Sequence, residues 1–254
     1  MDLETNRLLF IHIPKTGGTY IRRLFGGQII YGGHTFAITH KEQPKRLERY
    51  ILNDDHIRHT NNNGLPNIID GIYSPKLSGN TETFTILRNP YDMLCSLYFH
   101  DNQKGFGSIN RKPHPQSITH VKSFKDFIHK YCSTNWNYAG GFPCPYLKLN
   151  LYQQVFDASG NIAVDIIFFY EKLHDGMEYL EKNYNLQCSD VGIANKSDKK
   201  IHSYRKYYDS EMIELVSKKC SEELSLFNYS FGGHHGKESV ILTKHRSFKI
   251  SPLH

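Results

Sequence analysis

Apolar positions gather into short runs separated by long polar stretches, and the runs carry two different periods. Leu8, Leu9, Phe10, Ile11 and Ile13 form a near-continuous apolar run. That is the pattern of a strand buried on both faces, and Pro14 ends it because proline cannot donate to a central ladder. Beyond Thr19 the period changes: Ile21, Leu24 and Phe25 fall on one helical face, with Arg22 and Arg23 turned away. Gly26-Gly27 closes this helix, and Gln28 to Tyr31 reads as a short second strand. The alternation then repeats. Thr83 to Leu87 is a β-rich apolar strand, Asn89 can cap and Pro90 open the next helix, and Leu94, Leu97 and Tyr98 make its apolar face. Ser123 caps a helix carrying Phe124, Phe127, Ile128 and Tyr131 at i, i+3, i+4, i+7, with Asp126 completing a capping-box-like pattern. Ile162 to Tyr170 fits another buried strand and Leu173 to Tyr184 the helix after it. Asp209 caps a long helix whose buried stripe is Met212, Leu215, Val216, Cys220, Leu224 and Phe227.

Strands that alternate with helices predict an α/β fold built on a central parallel sheet flanked by helices. At 254 residues the chain can bury one substantial core, so residues 1–231 read as a single domain. Residues 232–254 lack a core pattern and read as a peripheral tail. Between the periodic segments, Lys41 to Leu52 has helical spacing through Leu47, Tyr50 and Ile51, Asn53 to Asn67 is an asparagine-rich loop, Ile68 to Tyr73 suits a strand, and Ser74 to Glu82 carries turn residues. His100 to Lys122 is irregular and long enough for a functional loop. Ser133 to Tyr146 holds Trp136, Tyr138, Phe142 and Tyr146, whose rings suit core packing more than sugar stacking.

The chemistry sits at two strand ends. After the first strand, Gly17 and Gly18 let the backbone turn tightly and bring amide N–H groups toward a ligand, and the helix start adds partial positive charge. That combination binds phosphate. Lys15 precedes the glycine pair, whereas a Walker A lysine follows the last glycine, so an ATP site matches poorly. Arg88 stands at the carboxyl end of the second strong strand, where open α/β sheets bind ligands, and its guanidinium suits a phosphate; Ser96, about two turns on, can donate a second bond. Read from the residues alone, Arg88 in a structural ion pair is the bland alternative. Gly32-Gly33-His34 puts an imidazole soon after the phosphate loop, where it serves either as a proton acceptor or as a plain turn residue among 15 histidines.

A formal charge of +6 suits an anionic nucleotide, but no long basic stripe points to nucleic acid. Five scattered cysteines without a CxxC pair fit neither a disulfide framework nor a zinc site, and His234-His235 has no second ligand cluster, so no metal is expected. No apolar run approaches a membrane span, and no signal-peptide pattern precedes the first strand, which predicts a soluble, cytoplasmic protein without stable membrane insertion.

The segment IPKTGGT closely resembles the 5′-phosphosulfate loop of PAPS-dependent sulfotransferases, especially the carbohydrate branch related to heparan sulfate O-sulfotransferases in a soluble bacterial or viral form. Arg88-Asn89-Pro90 followed by Ser96 resembles the same family's 3′-phosphate motif, FFYEKL its strand and Glu-containing junction with Glu171 structural, and the block from Ala194 to Phe231 its late cofactor-binding region. The resemblance implies a P-loop-like three-layer fold and transfer of a sulfuryl group from PAPS (3′-phosphoadenosine 5′-phosphosulfate) to a hydroxyl acceptor, a glycan or glycolipid, leaving adenosine 3′,5′-bisphosphate. It implies that Lys15, Thr16, Gly17, Gly18, Thr19 and Tyr20 hold the 5′ end, with Lys15 stabilising the leaving phosphate. Arg88 and Ser96 then hold the 3′-phosphate, Lys196, Ser197 and Tyr204 contribute to cofactor binding, and His34 is the general base with His40 as second choice. A P-loop small-molecule kinase and a non-catalytic anion- or glycan-binding protein are the rival readings.

Overall fold

A computed structural model describes residues 7–13, 15–31, 81–104, 121–133, 151–152, 155–156, 162, 164–188 and 203–243. Among them the chain runs β1 (Arg7–Ile11), α1 (Gly18–Phe25), β2 (Ile30–Tyr31), β3 (Thr81–Leu87), α2 (Pro90–Lys104), α3 (Phe124–Ser133), β4 (Ile166–Phe169), α4 (Leu173–Tyr184), α5 (Ser210–Lys219), α6 (Ser221–Leu226), β5 (Tyr229–Ser230), β6 (Gly233–His234) and β7 (Val240–Leu242). The main sheet has the order β2-β1-β3-β4-β7. Its first four strands are mutually parallel and β7 is antiparallel to β4. β5 and β6 form a separate antiparallel pair.

Period-two alternation splits the sheet's side chains between two apolar layers. Leu8, Phe10, Phe84, Ile86, Ile166 and Phe168 point to one layer, filled by Ile21, Leu24 and Phe25 of α1 and by Met177 and Leu180 of α4. Leu9, Ile11, Leu87, Ile167 and Phe169 point to the other, filled by α2, α3, α5 and α6. All four β4 residues are buried, each worth roughly 1.5–3 kcal/mol relative to exposure. This is the expected mixed α/β architecture with helices on both faces of a mostly parallel sheet.

Several local expectations match the structure. Asp126 N donates to Ser123 Oγ at 3.1 Å, Met212 N to Asp209 Oδ1 at 2.9 Å, and Tyr91 N to Asn89 Oδ1 at 3.0 Å, so all three caps form. The first helix ends at Gly26, whose N–H reaches Arg22 O. Other expectations need correction. β3 begins at Thr81, inside what reads as turn sequence, because Arg7↔Thr81 and Leu8↔Glu82 pair with β1 and the ladder outweighs local composition. α2 runs past His100 to Lys104, since neither Gly nor Pro interrupts it before Gly105. β4 covers only Ile166–Phe169 of the long apolar run, because Asp165 before it turns its carboxylate back onto Thr83 N and Oγ1, and Tyr170 already begins a 3-10 turn. The long helix breaks at Cys220, whose ψ of 26° leaves helical geometry, although Met212, Val216, Cys220, Leu224 and Phe227 stay buried across the break.

The stretch after Phe231, expected as a peripheral tail, supplies β6 and the fifth strand of the main sheet. Val240–Leu242 pairs with the edge of β4 that would otherwise present open backbone groups, and Ile241 is buried. Lys172 Nζ fastens the approach to this strand by donating to the carbonyls of Gly236, Lys237 and Glu238, and Ser239 Oγ donates to Asp175. The periodic readings at 41–52 and 68–73, the loop stretches at 53–67, 74–80 and 105–120, and the aromatic stretch at 133–146 lie, apart from Ser133, outside the described residues.

Candidate functional site

β1, β3 and β4 run parallel and in register, so their carboxyl ends open onto one edge of the sheet. Three segments meet there: the loop after β1, Arg88-Asn89 after β3, and Tyr170-Glu171 after β4.

The loop is built by buried and backbone-bonded residues. His12 and Thr16 are buried, and Thr16 Oγ1 donates to Ile13 O at 2.7 Å, which folds the chain back on itself. Lys15 has φ 66° and Gly17 φ 94°, two left-handed positions around one turn. Gly17 O then accepts from the amides of Tyr20 and Ile21 at 2.9 and 3.1 Å and starts α1. A Cβ on Gly18 would land in the His12 imidazole, so only glycine allows that close approach. The amides of Gly18 and Thr19 precede the first bond of the helix, and no acidic residue occupies the first turn of α1 to offset its positive end. A loop of this geometry can cradle an anion.

Arg88 joins the cradle to the other two strand ends. Its Nη1 donates to Lys15 O at 2.8 Å and its Nε to Asp92 Oδ2 at 2.8 Å, four residues on in α2. The guanidinium lies 4.4 Å over the Tyr170 ring, and that ring also abuts Gly17. Tyr152 donates to the Arg88 carbonyl. Burial pulls the guanidinium down, but the charge and hydrogen bond of Asp92 outweigh it and hold Arg88 above its ordinary value. The residue remains a cation.

Asn89 is the keystone beside it. Its amide donates to Glu171 Oε1 at 2.8 Å and its Nδ2 to Ser230 O at 2.8 Å, which ties the β5–β6 hairpin to the edge. Glu171 Oε2 accepts from Tyr229 OH at 3.1 Å. Desolvation pushes the Glu171 carboxyl above its ordinary value, against the bonds from Asn89 and Tyr229 that favour its anion. The expectation that Glu171 is structural fits these partners. His234 stacks on Phe169 at 4.0 Å, and His235 Nε2 bonds Ser230 Oγ at 2.6 Å. Among the described residues no cluster of three or more His, Cys, Asp or Glu could hold a metal. Burial raises the Cys95 thiol to about 12, which leaves it unreactive.

Of the residues singled out by sequence, Lys15, Thr16, Gly17, Gly18, Thr19 and Arg88 come together at this edge. Ser96 lies half-buried on α2. Tyr20 leaves the loop and packs against the layer under α1 and α4, and burial, then Cys188 and Glu181, raises its hydroxyl. Tyr204 donates its hydroxyl to Phe231 O at 2.7 Å, and its ring packs on Tyr208 and Phe231. His34, His40, Lys196 and Ser197 lie outside the described residues. Sequence reading missed His12, Asp92, Tyr152 and Tyr170. Asp92 had a signal, its i+4 spacing from Arg88; the other three are recruited only by tertiary contact.

A protein-family model described as Sulfotransferase family matches residues 2–230. No curated protein and no solved structure matches the chain. No helix among the described residues is long and apolar enough to cross a membrane.

Proposed function

We propose that this chain, which belongs to the sulfotransferase family, transfers a sulfuryl group from PAPS to a hydroxyl of a carbohydrate acceptor, a glycan or glycolipid. Sulfuryl transfer as such comes with the family; the donor, the acceptor class and the residue roles are the proposal. The observation that supports it is the 2.8 Å bond between Arg88 Nη1 and Lys15 O, which joins two cationic residues separated by 73 positions in the chain. One nucleotide with phosphates at both ends fits two such points.

The residues present suit a nucleotide that is anionic at both ends. A glycine turn that excludes a side chain at Gly18 leads into a helix start without acidic neighbours, and the two nearby carboxylates are engaged, Asp92 by Arg88 and Glu171 by Asn89 and Tyr229. When bound, PAPS supplies a sulfuryl group on a phosphate leaving group. In this reading the amides from Thr16 to Thr19 and the first turn of α1, which includes Tyr20, receive the 5′ end, and the Lys15 ammonium offsets the charge that develops on the leaving phosphate oxygen. Arg88 and Ser96 hold the 3′-phosphate, and Lys196, Ser197 and Tyr204 line the nucleotide. His34, or His40 in its place, removes the acceptor proton.

Thermal shift tests the donor. Adenosine 3′,5′-bisphosphate should raise the melting temperature by mass action, while ATP with magnesium should not. An equal rise with both, or none with the bisphosphate, overturns the donor assignment. Labelled PAPS offered with an array of sugars, glycolipids and small alcohols then identifies the acceptor, and sulfation confined to non-carbohydrate alcohols overturns the carbohydrate assignment.

A further inference from the structure

We infer that Asp92 is a positioning residue for sulfuryl transfer: its carboxylate fixes the Arg88 guanidinium so that the same side chain braces the left-handed turn at Lys15. The inference rests on the functional reading above and adds a residue which that reading leaves without a role.

The turn needs a brace. Lys15 has φ 66°, a conformation costly for a residue with a side chain and seldom taken outside Gly, Asn and Asp. A charge-assisted bond to its carbonyl, from Arg88 Nη1, helps hold the peptide in place. That bond depends on where the guanidinium points. Asp92 holds Nε at 2.8 Å, and the guanidinium carbon lies 4.4 Å from the centre of the Tyr170 ring, so two contacts besides Lys15 O fix its position. The Arg88 side chain is only 11% exposed and that of Asp92 23%, which limits competition from water for the pair. Without the carboxylate a long, rotamer-rich side chain keeps the Lys15 carbonyl and the Tyr170 ring but loses its charged anchor.

The consequence reaches the chemistry through two bonds. Asp92 sets Arg88, Arg88 sets the Lys15 carbonyl, and that peptide sets where the Lys15 ammonium and the following amides meet the leaving phosphate. Both ends of the nucleotide site become one mechanical unit. A simpler role exists, because an acidic residue in the first turn of a helix stabilises it without touching function. The two roles part at the loop: a helix-terminal charge would not alter the backbone at 15–18.

The test compares Asp92→Ala, Asp92→Asn, Arg88→Ala and the double variant Asp92→Ala/Arg88→Ala. Two readouts are used, amide hydrogen exchange of residues 15–18 without ligand and calorimetric binding of adenosine 3′,5′-bisphosphate. Asp92→Ala should speed exchange at the loop, weaken the bisphosphate about tenfold, the scale of losing one charge-assisted hydrogen bond, and lower kcat more than it raises KM. Asp92→Asn keeps an acceptor for Nε and should recover most of both readouts. In the Arg88→Ala background the loss of Asp92 should add nothing. Unchanged loop exchange in Asp92→Ala overturns the inference, whatever happens to overall stability. Tighter bisphosphate binding in Asp92→Ala also overturns it, because Asp92 would then be competing with the phosphate for Arg88. If the wild-type protein binds no bisphosphate, the donor reading fails by itself, and the ligand-free exchange still decides whether Asp92 braces the loop.

Discussion

The carboxyl edge of the sheet and the aromatic layer beneath α2 and α3 are held by different physics. In the layer, Tyr91 meets Tyr208 edge-on at 5.5 Å, Phe124 meets Tyr208 at 5.0 Å, and Phe127 and Tyr131 stack at 6.5 Å. Its buried hydroxyls find partners, Tyr208 on Tyr91 O at 2.9 Å and Tyr131 beside Cys220 Sγ at 3.7 Å. The contacts are many, individually weak and non-directional, so a change there spreads into overall stability. At the edge, directional bonds centred on Arg88 and Asn89 tie together the strand ends beside the left-handed positions Lys15 and Gly17. A change there should stay local and appear in function. Stability and chemistry are therefore separable by mutation.

The largest expected effect is in the layer. Phe127→Ala should lower unfolding free energy by about 3–5 kcal/mol through lost burial and a cavity, measured by denaturant titration. Activity per folded molecule should be unchanged. A matching loss of kcat/KM in the folded fraction would show that the layer and the edge are coupled.

Lys15→Ala inverts that result. Turnover should fall by about two to three decades, the scale of losing one preorganised stabiliser of developing charge, while the unfolding midpoint stays close to wild type. A normal single-turnover rate in the folded variant would remove Lys15 from the mechanism. Close behind, His34→Ala should lose about two decades of kcat, the scale of a general base, with bisphosphate affinity intact. The acidic limb of the wild-type pH–rate profile, where the imidazole is protonated, should vanish with it. The same pattern from His40→Ala instead would move the base to His40; no change from either would point to a carboxylate base.

Arg88→Ala sharpens the comparison from the ligand side. Removing a charge-assisted contact costs about 1.5–3 kcal/mol, so bisphosphate binding should weaken by one to two decades on that scale. Adenosine 5′-phosphosulfate, which lacks the 3′-phosphate, should weaken less but measurably, because Arg88 also braces the Lys15 turn. Equal weakening of both ligands by calorimetry would leave Arg88 as a brace alone.

The smallest effect is at the exposed cap of α5. The Met212 amide, then Lys125, holds the Asp209 carboxyl below its ordinary value. A carboxyl lowered by folding contributes stability above its unfolded pKa and loses it as pH falls through the folded value. Thermal midpoints of wild type and Asp209→Asn should therefore converge on acidification below about pH 4, and parallel curves would show that the cap carries no charge term.

How far the sequence could be read depends on the range of the forces involved. The caps at Ser123, Asn89 and Asp209, the span Leu173–Tyr184 and the glycine turn before α1 were legible, because cap chemistry, helical period and backbone sterics act within a few residues. Strand ends were less so. Thr81 joins β3 only because Arg7 pairs with it, and Val240–Leu242 becomes a strand because β4 offers an open edge, although nothing in Gly232 to His254 reads as core.

At the site the same division holds. By itself the sequence determined which residue types could meet an anion, since Lys15 with Gly17-Gly18 and Arg88 at a strand end are chemical facts of local context. Tertiary structure decided that Arg88 bonds the carbonyl of Lys15, that Tyr170 supports it, and that His12 fills the space Gly18 leaves open. Those contacts join residues brought together by parallel strand pairing, and a pairing register is a property of the assembled sheet, not of any one segment.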